Sequence, residues 1–352
     1  MKYIKNVELY GKITDIGVEE GKIAFIGNAP GDASGEDFGG KKIYPGLIDI
    51  HSHGCRGYDS SVGGISEMAD WMLEHGITTW YPTTMTVSED DIIAATNTDI
   101  DFGHGASIPG FHLEGPFINV TLKGAQNAEH VKLPSMELIN RCKNVKMVTV
   151  APEVEGAIDF IKSCPAVVAI GHTVCDYDTA MEAFSAGAKS MTHTFNCMPG
   201  IHHRNPGPIP AGADAGAYAQ LICDGKHIHP SVVRMLYKLY GPDRITLISD
   251  SIQATDIGDG EYVFGGLDII VKDGTARTRE GNLAGSTTCL FDGVRIAISM
   301  GIPEWDAVKM ASTTPAELMG LNKGRIEVGY DADFIIVDED FNLVRAIARG
   351  EF

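Results

Sequence analysis

The stretch PGLIDIHSHG, Pro45 to Gly54, sets a short apolar run against two histidines one residue apart. Pro45-Gly46 and Gly54 bound it, and turn residues at both ends of so short a run predict a buried strand over Leu47–His51. Side chains of a strand alternate between its two faces, so His51 and His53 turn to the same side and both can reach one ion. An apolar run that stops on a polar or ionisable group recurs downstream. Strands are predicted at Thr78–Pro82, Ile108–Leu113, Val145–Val150, Val167–Ile170, Ser190–Thr192, Gln220–Cys223 and Ile245–Ser249. Amphipathic stretches between them predict helices at Ile65–Glu74, Asp90–Thr98, Met136–Cys142, Ala157–Ser163, Thr179–Ala186 and Ser231–Tyr240. Strand and helix in alternation mean an α/β fold, and eight strands suit a closed, TIM-like (β/α)8 barrel better than an open sheet.

The two ends of the chain read differently. Tyr3–Ile4, Ile13–Val18 and Lys22–Ile26 look like short strands broken at Gly11, Gly21 and Gly27, and a polar, glycine-rich segment from Ala29 to Gly40 follows. Asp333–Val337 and Leu343–Ala348 are strand-like around a polar turn. The expectation is a small β-sandwich domain built from both termini, residues 1–45 with 325–352, attached to a catalytic barrel over 46–324. A chain of 352 residues has room for both, since such a barrel takes about 250.

Hydrophobic residues make up 44% of the chain and charged residues 21%, so a sizeable core can be buried. The 28 basic and 47 acidic side chains leave a formal net charge of -19, a field that repels nucleic acid and anionic membranes and argues against both as partners. It would repel a phosphorylated metabolite as well, so a substrate of that kind needs a local basic pocket. Seven cysteines, an odd count without a CxxC pair, point to reduced thiols in the cytoplasm. The opening MKYIKNVELYGKI has no apolar h-region and no run approaches membrane-spanning length, so neither a signal peptide nor a membrane span is expected.

Ionisable groups gather at the C-terminal ends of the predicted strands, where barrel enzymes keep their active sites. Beyond His51-Ser52-His53 these are His112 to Pro116 with Glu114 on the third strand, Gly171-His172-Thr173 on the fifth, Thr192-His193-Thr194 on the sixth and Leu247 to Asp250 on the eighth. Each has an ordinary reading alone. A strand-end histidine is often a satisfied structural residue, and a single Asp or Glu often caps a helix. Among 12 histidines, His202-His203 and His227-Ile228-His229 show how readily pairs arise. Taken together, four imidazoles and two carboxylates converge on one barrel mouth. That donor set suits Zn or Fe in an open catalytic site rather than a cysteine-rich structural one.

The order HxH, Glu, His, His, Asp on these strands is similar to that of the amidohydrolase superfamily. Within it the flanking words resemble the N-acetylglucosamine-6-phosphate deacetylases: PGLIDIHSHG from Pro45, FHLEGPFI from Phe111, KGAQN from Lys123, GHT from Gly171, THTFNCM from Thr192, RNPG from Arg204, DGKHIHP from Asp224, LISDS from Leu247 and LAGS from Leu283. The ending from Ala311, ASTTPAELMGLNKGRIEVGYDADFIIVD, resembles the superfamily's return to its β domain. The resemblance implies a metal-dependent deacetylase of amino-sugar phosphates holding one or two divalent ions per subunit, Zn or Fe. Glu114, His172 and His193 would hold the main ion, and His51 and His53 would complete a second site. Asp250 would be the catalytic acid/base. Asn196, the Cys197 backbone, Arg204 and His227 would contact the sugar phosphate, and Ala125, Gln126, Leu283, Ala284 and Gly285 would line the sugar pocket. In relatives the arginine reaches the neighbouring subunit's pocket, which implies a homodimer.

One departure is Gln126, where many relatives carry His; an amide can donate a hydrogen bond but carries neither a proton in transit nor a charge. Three rival readings stand beside this one. The galacto-configured sugar phosphate differs by one hydroxyl, which short motifs do not encode. A cyclic-amide hydrolase such as a dihydroorotase usually carries a carboxylated lysine on the fourth strand, where this chain has Ala151-Pro152-Glu153. A non-catalytic scaffold would not need the full set of metal-site groups with Asp250.

Overall fold

The computed structural model describes residues 1–352. Eight parallel strands, Leu47–Ser52, Ile77–Thr84, Phe111–Glu114, Val145–Val150, Val167–Ile170, Ser190–Met191, Tyr218–Ile222 and Ile245–Ile248, lie side by side in chain order. Just past their ends the eighth strand meets the first: the Asp250 N–H donates to the His51 carbonyl at 2.9 Å and the His53 N–H to the Ser251 carbonyl at 2.7 Å. The sheet therefore curls into the expected barrel. All eight expected strands are present, with ends shifted by a few residues. The third begins at Phe111 rather than Ile108; Ser107 still bridges to Thr79, but Pro109 has no N–H with which to continue the ladder.

The six expected helices form as Ile65–Glu74, Glu89–Thr96, Met136–Arg141, Ala157–Ser163, Tyr177–Ala186 and Pro230–Tyr240. Several start where a polar side chain accepts a free backbone N–H of the first turn: Ser88 from Asp91, Ser135 from Leu138 and Asp176 from Thr179. Their apolar faces close over the barrel in one large core that includes Trp71, Trp80, Phe111, Phe117 and Leu247. No helix is long and apolar enough to cross a membrane.

The terminal strands form a separate six-stranded sheet in the order Leu343–Ile347, Phe334–Val337, Gly35–Pro45, Lys2–Leu9, Lys12–Glu19, Lys22–Gly27. Its own core contains Ile4, Val7, Ile16, Ile43, Phe334, Ile336 and Ile347, all fully buried. Gly35–Pro45 runs through the middle of this sheet, over part of the segment that reads as polar and glycine-rich. Pairing on both sides, parallel to Lys2–Leu9 and antiparallel to Phe334–Val337, overrides its local composition. Gly39 and Gly40, at φ 62° and 82°, absorb a register shift there, the conformation of a bulge. Only Gly46 separates this strand from the first barrel strand, and a Cβ at that point would lie 2.2 Å from Thr78 Oγ1.

A third sheet is unannounced by strand-helix alternation: Gly260–Phe264, Leu267–Lys272 and Thr275–Thr278 pair antiparallel after the eighth barrel strand. Its turns are Gly265-Gly266 and Asp273-Gly274, two of the dipeptides that favour tight hairpins. Three short helices, Leu290–Ser299, Glu304–Ala311 and Thr313–Met319, then lead back to the terminal sheet.

Phe334 has no exposed surface and belongs to the strand that joins the two ends of the chain. Phe334→Ala should cost about 3–5 kcal/mol, the usual loss for deleting a buried aromatic ring. Urea denaturation followed by circular dichroism measures it, and a change under about 1 kcal/mol would mean the terminal sheet is loosely packed.

Candidate metal centre

Three residues of the site stand two positions beyond a barrel strand in a backbone region that side chains rarely occupy: His172 at φ 47°, His193 at φ 27° and Asp250 at φ 49°. Left-handed backbone costs a non-glycine residue of order 1–3 kcal/mol and persists where surrounding structure enforces it. Here it swings each side chain out of the strand and across the barrel mouth. Glu114 ends the third strand, and the glycine after it is required, because a Cβ on Gly115 would lie 2.1 Å from Thr86 Oγ1.

Four imidazoles converge on the Glu114 carboxylate. His172 Nε2 lies 3.0 Å and His193 Nε2 2.8 Å from Glu114 Oε1, while His53 Nε2 lies 3.2 Å from Oε2 and His51 Nε2 3.4 Å from Oε1. They form two overlapping groups, His51-His53-Glu114 and Glu114-His172-His193, each with its ligand atoms within 4.8 Å of one another. Asp250 stands over the first group, its Oδ1 3.3 Å from His53 Nε2 and 3.5 Å from His51 Nε2.

The hydrogen bonds at the far side of each ring decide what these nitrogens offer. Nδ1 of His51 meets Gln220 Oε1 at 2.9 Å, Nδ1 of His53 meets the Thr83 carbonyl at 3.0 Å and Nδ1 of His172 meets the Leu122 carbonyl at 2.9 Å. Those oxygens only accept, so each Nδ1 carries its proton and a neutral ring presents a lone pair at Nε2. The Nε2 atoms of His51 and His53 are 3.3 Å apart, and those of His172 and His193 3.1 Å. Protons on both members of either pair would set two N–H groups head to head. Converging lone pairs and carboxylates need a cation, and the donor set fits a divalent metal ion. His51, His53, Glu114, His172 and His193 are thus positioned to bind one. His193 differs in that its Nδ1 is buried without a partner.

The electrostatics agree. Burial pushes the Glu114 carboxyl up, but His51, His172 and His193 outweigh it and hold the group well below the usual carboxylate value. Burial likewise raises Asp250, and His51 and His53 overcome it, so Asp250 is held below its ordinary value and is ionised at neutral pH. Burial disfavours charge on His53, yet Asp250 and Glu114 raise the ring to about 10, so positive charge is favoured at Nε2, and a metal ion there takes the place of a second ring proton. His112, fully buried behind His51, is driven well below its ordinary value by burial, so it stays neutral; it holds Thr149 at 2.8 Å.

The centre forms the floor of a cavity of about 430 Å³. Of the residues expected to hold substrate, Ala125, Gln126, Asn196, Cys197, His227, Leu283 and Gly285 line it. Ala284 is fully buried behind it, its N–H donating to the Ala276 carbonyl at 3.1 Å. Arg204 is exposed and outside the lining. Gln126 has both ends of its amide engaged: Nε2 donates to Glu114 Oε2 at 2.5 Å and Oε1 accepts the Thr86 N–H at 2.7 Å. Sequence reasoning missed Lys123, Phe264 and Asn282 in the lining, and Gln220 and Thr83 behind the rings. Gln220 was marked by being the one polar residue in its buried strand, and Phe264 by the hairpin signal that follows it. Thr83 acts through its backbone carbonyl, which leaves no mark in the sequence.

Residues 43–352 match the Amidohydrolase family. The chain belongs to that family. It is 34% identical to an N-acetylglucosamine-6-phosphate deacetylase of Vibrio furnissii over 94% of this chain and 88% of the relative. The structure of N-acetylglucosamine-6-phosphate deacetylase from Thermotoga maritima superposes with a TM-score of 0.91 at 31% identity, covering 99% of this chain and 98% of that one. A variant of the Mycobacterium smegmatis enzyme in complex with N-acetyl-D-glucosamine-6-phosphate gives 0.92 at 29% identity, covering 100% and 99%.

Gln220→Leu should strip His51 of the acceptor that fixes its Nδ1 proton. Affinity for an ion at the His51-His53 pair should then fall about 10–100-fold while the Glu114-His172-His193 group keeps its own. Metal analysis after dialysis against a buffered metal series reads this, and identical retention by parent and variant would show that His51 needs no such support.

Proposed function

We propose that this chain hydrolyses the acetamido group of N-acetylglucosamine 6-phosphate, giving glucosamine 6-phosphate and acetate. The observation that carries this is the ionised Asp250 held 3.3 Å from His53 Nε2 over a centre fit for a metal ion, at the floor of a cavity whose wall also bears Lys123, Asn196 and His227. Likeness to deacetylases along nearly the whole chain supports the same substrate. In this reading residues 46–324 form the catalytic barrel and residues 1–45 with 325–352 the supporting β domain. Seven unpaired cysteines support a cytoplasmic setting.

His51, His53, Glu114, His172 and His193 would hold a divalent ion, which would supply Lewis acidity to the amide carbonyl and lower the pKa of the attacking water toward about 7. The protein's own residues do the rest. Asp250 takes the proton of the attacking water as general base and hands it to the departing nitrogen as general acid. Its lowered pKa suits the first task, because the carboxylate is ready to accept. Asn196, the Cys197 backbone and His227 bind the phosphate, and Leu283, Ala284 and Gly285 with Ala125 and Gln126 shape the sugar site. Arg204, exposed and outside its own cavity, reaches the phosphate in the neighbouring subunit of a homodimer, where a guanidinium can bind it through two hydrogen bonds.

Chelator-stripped protein should lose hydrolysis of N-acetylglucosamine 6-phosphate, and Zn or Fe should restore it. The assay releases acetate and should be run on the gluco and galacto sugar phosphates together. Full activity in verified metal-free protein would overturn the reading, and higher kcat/KM on the galacto epimer would reassign the substrate.

Asp250→Asn keeps the shape and removes the proton acceptor, so turnover should drop by about 10²–10⁴-fold with metal content and substrate-analogue affinity preserved. Near-parental turnover in a fully metallated variant would remove Asp250 from the chemistry. The same variant tests the dimer: mixed with Arg204→Ala subunits it should regain a fraction of the activity, and no recovery would place Arg204 outside the shared site.

A further inference from the structure

Asp224 lies two residues past the seventh barrel strand and is not among the groups that line the cavity. It is 8% exposed, and every hydrogen bond it makes is with the loop that carries His227. Its Oδ1 accepts the Lys226 and His227 N–H groups, both at 2.9 Å, and its Oδ2 meets His227 Nδ1 at 2.7 Å. The first two bonds fold the backbone turn. The third orients the ring, commits Nδ1 to Asp224, and leaves Nε2 as the nitrogen available to the cavity that His227 lines.

We propose that Asp224 is a positioning residue for anion recognition, fixing the His227 ring so that its Nε2 faces the phosphate of the substrate and, in the bound complex, donates a charge-assisted hydrogen bond to it. This inference rests on the deacetylase reading. A neutral ring with its proton on Nδ1 would present a lone pair to the phosphate and repel it, whereas an imidazolium donates a charge-assisted hydrogen bond. With the Asp224 carboxylate on one side and a bound phosphate on the other, the ring has an anionic acceptor at each nitrogen. Asp224 itself is ionised: burial pushes it up, but its bonds with His227 outweigh that and hold it at about 2. Neighbouring Lys226 does not serve the phosphate in its place, because its Nζ is tied to the Gly274 carbonyl. Against a net charge of -19, the only other basic side chain in the cavity wall outside the metal centre is Lys123, so the charge state of His227 matters for an anionic substrate.

The test compares Asp224→Asn and Asp224→Ala with the parent holoenzyme. In Asp224→Asn the amide N–H can donate to His227 Nδ1, which moves the single ring proton to Nε2; the donor survives and the charge is lost. The ratio of kcat/KM for phosphorylated over unphosphorylated N-acetylglucosamine should fall about tenfold in Asp224→Asn, mainly through KM, and further in Asp224→Ala. In a His227→Asn background, adding Asp224→Asn should change the ratio no more, because Asp224 acts through that ring. Calorimetric affinity for glucosamine 6-phosphate supplies a readout that needs no turnover and should fall in the same order. A parent that binds this compound yet hydrolyses no acetylated sugar phosphate would sink the deacetylase reading alone. Variants that keep the parental ratio and affinity, or an Asp224→Asn loss undiminished in the His227→Asn background, would overturn the role of Asp224.

Discussion

Glu114 is a carboxylate with 2% of its surface left to water, surrounded by the Nε2 atoms of four imidazoles. Removing an ion from water costs several kcal/mol unless opposite charge and hydrogen bonds replace the lost hydration. Gln126 meets part of that need by donating to Oε2, and a metal cation held among the imidazoles completes it. The local backbone is bent to serve this arrangement. His172, His193 and Asp250 each adopt left-handed backbone two residues past a strand, an unfavourable conformation that the barrel imposes at the same level on its fifth, sixth and eighth strands.

Barrel closure and chemistry share the same atoms. The hydrogen bond from the Asp250 N–H to the His51 carbonyl joins the last strand to the first, so the Asp250 carboxylate and the His51 imidazole are fixed relative to each other by the ladder itself. Further on, Asp250 O accepts the Ser286 N–H at 2.7 Å, which brings the Leu283–Gly285 wall against the same strand end. Gly285 can pass so close only without a side chain, since a Cβ there would lie 2.9 Å from Asp250 O. The small antiparallel sheet that precedes this wall carries Phe264 to within 5.2 Å of the His53 ring centre. Its apolar face excludes water from one side of the centre, which strengthens the electrostatic interactions inside.

Charge works against the molecule as a whole and for it in one place. A net charge of -19 keeps the protein soluble and repels anions, while Lys123 and His227 stand in the cavity wall. Because the Debye length is about 8 Å at physiological salt, a cation within hydrogen-bond reach counts for more than the distant acidic surface.

The repeated figure of an apolar run ending in an ionisable group was enough to read the barrel and to bring four imidazoles and two carboxylates to its mouth, because period-2 alternation and buried runs are local properties of the chain; which of them hold the metal followed from the resemblance to the amidohydrolases. The texture of both ends likewise showed that they form strands together. The strand Gly35–Pro45 was hidden, since its glycines suit a loop and only its two partners, one of them about 300 residues later, hold it extended. The partners that orient the rings were hidden for the same reason: Gln220 lies 169 residues from His51, and Thr83 and Leu122 act through backbone carbonyls that every residue possesses. Residue type decides which atoms can bind a metal, accept a proton or carry a charge, and the sequence states it outright. Which lone pair faces which, and what each buried charge has for a neighbour, depends on contacts between distant segments, and these exist only once the barrel has closed.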